Sequence, residues 1–441
     1  MMVSFVLNVW DPKRIRSRIS AENKVIVVGG GAAGFFAAIE CAARGKARVK
    51  IVEGGKEFLD KVRISGGGRC NTTHAAFNHE TLSGGYPRGR RELRGPFSGF
   101  DAADTVEWFK NRGVELKTEE DGRMFPVTDD SSTIVDALVR AARESGVQMT
   151  ASTKVTDIST GNGKNPFSVV FKSAAGTPVT ENCDKVLIAT GSSKLGYRWA
   201  EQLGHSIISP IPSLFTFKIK DKELHELAGV SVGNTVVNLV LPKGTGRRRQ
   251  DSGLLQRGPT LITHWGFSGP AILRLSAFGA RILKELGYQV GLNIDWYPET
   301  SKAKTLDLFE DLRRQRGQKR LVGSASPYRA IPARLWRLLL RRAEVNEKCP
   351  WAELKNDGMR KLAKEVHECR FSVEGKGAFK EEFVTSGGIP LKEIDMRTMQ
   401  SKIVPGLFFA GEICDYDGIT GGFNLQGAWT TGFLAGRGMG E

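Results

Sequence analysis

Gly29, Gly31 and Gly34 stand in the spacing GxGxxG inside the run KVIVVGGGAAGFFAAIECAARG, which starts at Lys24. In a strand-to-helix turn the first glycine permits the sharp bend, the second lets backbone come close to a pyrophosphate, and the third lets helix and strand pack. Phosphate then sits where unpaired N–H groups and the helix dipole favour negative charge. Glu53 follows at the end of VKIVE, placed to accept hydrogen bonds from a ribose diol, and its charge opposes a 2′-phosphate there. Two more glycine turns lie far along the chain. ATG at 189–191 follows the strand-like KVLI, and GLFFAGE brings Gly411 and Glu412 to the end of another strand. A loop with Gly421 and Gly422 comes next, then a helix beginning near Asn424, whose start could stabilise negative charge on the pyrimidine side of a flavin. Such turns from distant parts of one sheet suit an extended dinucleotide buried along its length, which favours FAD over an exchanging nicotinamide.

Other constellations carry less. There is no Ser-His-Asp order and no HExxH, and none is needed where a flavin carries the hydride and the protein positions and polarises. His264, in the glycine-bordered THWGFSGP, is a candidate proton donor set against a satisfied structural histidine. Arg123, in GRMFP, is a candidate grip on an anionic substrate. Cys70, in VRISGGGRCN, could be a nucleophile, a metal ligand or a bystander in a loop that works through its backbone. Zinc held by Cys70, His74 and His79 would need a fourth ligand that nothing nearby supplies, so no metal is expected. No cysteine stands at CxxC spacing from Cys70, and a small packed side chain is the default reading for it and for Cys414. No second GxGxxG follows a strand in mid-chain, so a dedicated NAD(P)H domain is absent; NADH or NADPH then binds transiently over the flavin, or another donor reduces it.

The elements that must hold these residues read as strand, turn and helix from Lys24, a second strand at Val49 to Gly55, and an amphipathic helix at TIVDALVRAARESG with Ser131 and Ser132 as cap candidates. KVLIAT is a buried strand. From about Ser206 the texture changes to β-branched segments, SVGNTVVNLVLP and YQVGLNIDWYP, then to the helical RLWRLLLRRAEV. The expected fold is α/β: a discontinuous Rossmann-like FAD domain over 23–205 and 370–441, an inserted β domain over 206–304, a helical subdomain over 305–369, and an N-terminal tail over 1–22.

A chain of 441 residues has room for two or three such units. Its formal net charge of +16 draws it toward polyanions. Yet the basic clusters at Arg88 to Arg94, Arg247 to Arg249, Arg313 to Arg320 and Arg334 to Arg342 lack the interleaved aromatics that stack bases, so each reads as a solvated face and no stable nucleic-acid complex is expected. Six cysteines without regular spacing indicate a reducing compartment. The opening MMVSFVLNVW is too short to span a bilayer, and its basic run follows the apolar stretch, which disfavours secretion. A cytoplasmic location is expected, with a chloroplast or mitochondrion as the alternative if the first residues are a transit peptide.

In order and spacing, GGGAAG, KVRISGGGRCN, GRMFP, THWGFSGPAILRLSA, FKEEFVTSGGIPLKEID and GLFFAGEICDYDGITGGFNLQGAWTTGFLAG resemble the YhiN/BaiN-type (HI0933-like) flavoprotein family of NAD(P)/FAD-dependent oxidoreductases. The resemblance runs from Lys24 to Arg437. It implies a bound FAD, a two-part FAD domain, an inserted β-barrel domain with helices, and redox chemistry on a small-molecule substrate. By position, Gly29, Gly31, Ala33, Gly34, Glu53, Lys61, Gly67, Arg69, Cys70, Asn71, Val155, Thr190, Gly191, Gly411, Glu412, Gly422, Asn424 and Leu425 would line the cofactor. In RISGGGRCN the resemblance casts the glycine amides as a cradle, with Lys61 and Arg69 supplying positive charge and Asn71 orienting the loop. The chain departs from the family at ATGSSKLGY, which is shorter than the usual loop. Two other functions stay open: a flavin-dependent RNA-modifying enzyme, suggested by the charge, and a flavin-binding protein without turnover, suggested by the short loop.

Overall fold

Strand β1 (Asn23–Val28) buries its last four residues and enters helix α1 (Ala32–Ala42) through the glycine turn. Strand β2 (Ala47–Val52) returns parallel to β1, with Val49 opposite Val25. The computed structural model describes residues 23–161, 166–173, 176–242, 253–314, 320–377 and 384–441. The expected tail, the Arg247 to Arg249 cluster and most of the Arg313 to Arg320 cluster lie outside the described residues.

After β2 come β3 (Thr73–His74), β4 (Leu116–Thr118) and β5 (Arg123–Pro126), a small antiparallel sheet in the order β3-β5-β4. Helix α2 (Ser132–Glu144) is the expected amphipathic helix, but neither serine caps it; the Asp130 carboxylate instead accepts from the Ser132 N–H at 2.8 Å. Strand β6 (Gln148–Thr150) joins the edge beside β2. A second antiparallel sheet, β7 (Thr153–Thr160), β8 (Phe167–Ser173) and β9 (Pro178–Cys183), leads to β10 (Lys185–Ile188) beside β1, and helix α3 (Lys194–Gln202) follows.

Strand β11 (Ile208–Ser213) carries the chain out of this core. Then come β12 (Phe217–Ile219), β13 (Ser231–Val240), β14 (Leu255–Thr263), β15 (Gly266–Ser268), helix α4 (Pro270–Phe278) and β16 (Val290–Asp295). Helices α5 (Lys302–Arg314), α6 (Ala333–Arg342) and α7 (Asn356–His367) precede β17 (Cys369–Lys376). The strands close a barrel in the order β12-β15-β14-β13-β16-β17. Strand β18 (Val384–Gly388) pairs antiparallel with β11 and brings the chain back. Strands β19 (Ile394–Asp395), β20 (Gln400–Ser401) and β21 (Leu407–Phe409) complete the main sheet, ordered β19-β20-β21-β10-β1-β2-β6, before helix α8 (Phe423–Gly440).

The result is a Rossmann-type sheet with an inserted barrel and helices. Two hydrophobic cores form, one spanning Val25 to Leu203 and Ile389 to Met439, the other Phe215 to Val373. The second differs from the expected boundaries in two ways. Helices α5 to α7 share the barrel's core and make no separate unit, and β17 belongs to the barrel, so the return to the first core comes after Lys376 and not at 370. A strand pattern in sequence carries no mark of which sheet it will close. Helix α8 lies directly on α1. A Cβ at Gly432 would stand 2.6 Å from Ala33 O, and one at Gly436 2.5 Å from Ala37 O, so only glycine lets these backbones touch.

Candidate functional site

At the end of β1 the three glycines meet different surroundings. A Cβ at Gly29, whose φ is +112°, would strike Ala189 O at 2.4 Å, and one at Gly34 would strike Gly29 O at 2.0 Å. A Cβ at Gly31 would meet nothing within 4 Å. Two glycines therefore seal the turn against the protein, and the middle one faces open space. Gly31 is also the N-cap of α1 without a side-chain cap, so the helix start is available to an anion. The Glu53 carboxylate is fixed beside it, accepting from the Gly30 N–H at 2.7 Å and the Gly55 N–H at 2.6 Å. Val155, buried on β7, lies next to this edge, where the Thr153 N–H donates to Glu53 O at 2.8 Å.

Farther along, Glu412 in the turn 411–413 accepts from Lys61 Nζ at 2.6 Å and from the Thr385 N–H of β18 at 2.9 Å. Gly191, with φ +58°, sits beside it: a Cβ there would lie 3.5 Å from Glu412 Oε2. Gly411, at φ +79°, packs against Ala33 and donates its N–H to Thr431 Oγ1 at 3.0 Å. These contacts place ATG, AGE and the first glycine turn around one cleft.

At its far end Gly66, Gly67 and Gly68 follow one another at φ of +59°, +70° and +86°, and Cβ atoms on Gly67 and Gly68 would meet nothing within 4 Å. The Asn71 amide, oriented to satisfy both its ends, accepts from the Gly422 N–H at 3.0 Å and donates to Thr73 O at 3.2 Å. It thereby ties this loop to the start of α8. His74, which sequence reasoning weighed only as a zinc ligand, bonds Gly421 O through Nδ1 at 2.9 Å and stacks on Phe423. Burial holds its imidazole below the usual histidine range. No local signal in the sequence marks that role, because the pairing spans the whole chain.

Several expected side chains are engaged with protein. Arg69 bonds Glu119 at 2.7 Å and Asp129 at 3.2 Å, with its guanidinium over the Phe125 ring. Lys61 is paired with Glu412, so neither cation is left as free charge. Asn424 closes the loop before α8 by bonding Gly418 N and O at 2.8 and 2.9 Å, and Leu425 packs on the core. Cys70 is fully buried with its thiol pushed up to about 11 by burial, and Cys414 is buried too, with its thiol shifted the same way. Both are poor nucleophiles at neutral pH. Arg123 lies near Gly421, but its guanidinium is bound to Asp121 and Glu119. His264 is exposed on the turn between β14 and β15, two strands of the barrel. Among the described residues no group of three or more His, Cys, Asp or Glu could hold a metal, and no helix is long and apolar enough to cross a membrane.

The cleft fits FAD. Open backbone at Gly31, Gly67 and Gly68, the uncapped starts of α1 and α8, and a fixed carboxylate at Glu53 match a diphosphate flanked by a ribose and a flavin. Thr190 Oγ1 and Ser386 Oγ, chain neighbours of the groups around Glu412, are buried without a partner among the described residues, with Thr190 Oγ1 turned toward Gly196 of α3.

A profile of the HI0933-like protein Rossmann domain matches residues 23–438. A 3-dehydro-bile acid delta(4,6)-reductase from Clostridium scindens is 28% identical over 95% of this chain and 99% of its own. A ribosomal RNA dihydrouridine synthase from Escherichia coli is 28% identical over 92% of this chain and 95% of its own. The solved 3-ketosteroid-delta4-(5alpha)-dehydrogenase from Rhodococcus jostii shares the fold, with a TM-score of 0.51 at 15% identity over 97% of this chain and 99% of that one.

Proposed function

We propose that this chain, which belongs to the HI0933-like Rossmann-domain family, is an FAD-dependent oxidoreductase that saturates an activated carbon–carbon double bond with NADH or NADPH as reductant. The observation that supports it most is the glycine turn, sealed at Gly29 and Gly34 and open at Gly31 beside the fixed Glu53 carboxylate. Hydride transfer is the chemistry that FAD supplies when bound. The protein's own groups bind and orient: the start of α1 and the loop 65–71 would hold the diphosphate, Glu53 the ribose, and the start of α8 the flavin's anionic edge. The names of the Clostridium scindens and Escherichia coli relatives both describe the addition of hydrogen across a carbon–carbon double bond, a net hydride and proton. That common step supports the reaction class better than either substrate.

Anaerobic mixing with NADH and with NADPH tests the reading. Yellow protein should bleach with one of them; colour that persists with both would contradict the nicotinamide half of it.

A second reading, action on RNA, is favoured by the Escherichia coli relative's name and the net charge of +16. Against it, several arginines of the described clusters are paired within the protein. Arg341 and Arg342 bond Glu223 and Glu365 at 2.8 and 2.9 Å, Arg314 bonds Glu310 at 2.8 Å, and Arg88 is paired with Asp417. RNA retention that does not weaken with added salt, or no retention at all, would dispose of this alternative.

A further inference from the structure

A cavity of about 590 Å³ lies between α3 and β11, with Thr385 of β18 on its wall. Thr385 is the residue whose N–H holds Glu412, so the cavity adjoins the cofactor cleft. Lys194 and Arg198 line it four residues apart, on one face of α3, and neither is paired among the described residues. Ser193, the N-cap of α3, makes no side-chain cap, so both the helix start and the two cations offer themselves to negative charge. Tyr197 also lines the cavity. Its side chain is buried, and its hydroxyl, sealed from solvent, lies on the side of Glu412, Cys414 and Asp415. The rest of the wall carries one carboxylate unpaired among the described residues, Glu201, two serines, and apolar groups that include Ile207, Pro210 and Pro212.

Two cations on the first turns of a helix suit a diphosphate, a carboxylate suits a ribose diol, and the apolar Ile207, Pro210 and Pro212 suit a flat ring. We propose that this cavity is the docking site of the nicotinamide nucleotide, reached without a second glycine-rich domain. The proposal rests on the reading of the chain as an FAD oxidoreductase.

The test uses the full-length holoprotein and the variant Lys194→Glu/Arg198→Glu. Calorimetric titration with ADP-ribose, which binds as a nucleotide without reducing anything, should show at least about tenfold weaker binding for the double variant. The NADH concentration giving half-maximal bleaching should rise in parallel. FAD content and bleaching by dithionite, a reductant that needs no docking, should match the parent protein. Unchanged ADP-ribose and NADH dependence in the double variant overturns the docking site alone. Parent protein that carries FAD yet ignores NADH, NADPH and ADP-ribose overturns the nicotinamide reading and this site with it.

Discussion

Gly31 and Gly34 are one motif in sequence and two different constraints in space. Gly31→Val should leave the thermal unfolding midpoint nearly unchanged, because its Cβ enters open space, yet weaken FAD binding by roughly 10- to 100-fold by filling the ligand's place. Gly34→Ala should do the reverse at the level of folding, lowering stability by about 1–3 kcal/mol through contact with Gly29 O. Flavin titration and a thermal scan on each variant separate the two. That Gly29, Gly31, Gly34 and Glu53 meet at one turn was legible because it depends on spacing within some thirty residues of chain. Arg69 was not. Its partner Glu119 lies fifty positions away, and only the pairing of β3 and β4 with β5 brings it under the glycine loop.

Between elements, His205 after α3 is bound on both ring nitrogens. Ser401 Oγ accepts from the Ile403 and Val404 N–H groups at 3.0 and 2.8 Å, so its proton goes to His205 Nε2 at 2.8 Å. Nδ1–H then donates to Glu393 at 3.0 Å. The neutral ring is thus fully used, and burial holds it below the usual histidine range against the pull of Glu393. The unfolded chain therefore takes up this proton first, and stability is lost as pH falls below about 6.5. For Glu393, burial pushes the carboxyl up, but hydrogen bonds from Ser206 and His205 outweigh it and leave it below the usual range. Its contribution is present above about pH 4.5 and lost as pH falls through the lowered value. Urea midpoints should drop between pH 7.5 and 5.5, and His205→Gln should drop less over that interval; an equal fall would refute this assignment. The same scale explains the misplaced boundary at 370. Residues 369–376 read as a strand in either core, and the choice was made by β12 and β16, which lie far upstream.

Across the whole molecule, the two cores are joined by more than the β11–β18 ribbon. Arg88, from the first core, pairs with buried Asp417, donates to Ala277 O of α4 at 2.5 Å, and reaches Ser213 of β11, which itself donates to Asp417 at 2.6 Å. Arg281 bonds Asp415 at 2.9 Å alongside. Arg88→Met leaves a carboxylate buried alone and should cost about 3–5 kcal/mol in urea unfolding, while Arg88→Met/Asp417→Leu should recover most of that. This pair was hidden in a cluster that looked like solvated charge. The two-core plan was legible from the change of texture near Ser206, whereas the joint between them was not, since it is made of single side chains from four distant segments.

One cleft, from Glu53 to the start of α8, is the proposed FAD site. Titrating the folded protein with FAD and reading its absorbance, with the bound nucleotide then released and identified, tests that most directly. Saturation is expected at one FAD per chain; cooperatively folded protein that neither carries nor takes up FAD would contradict this.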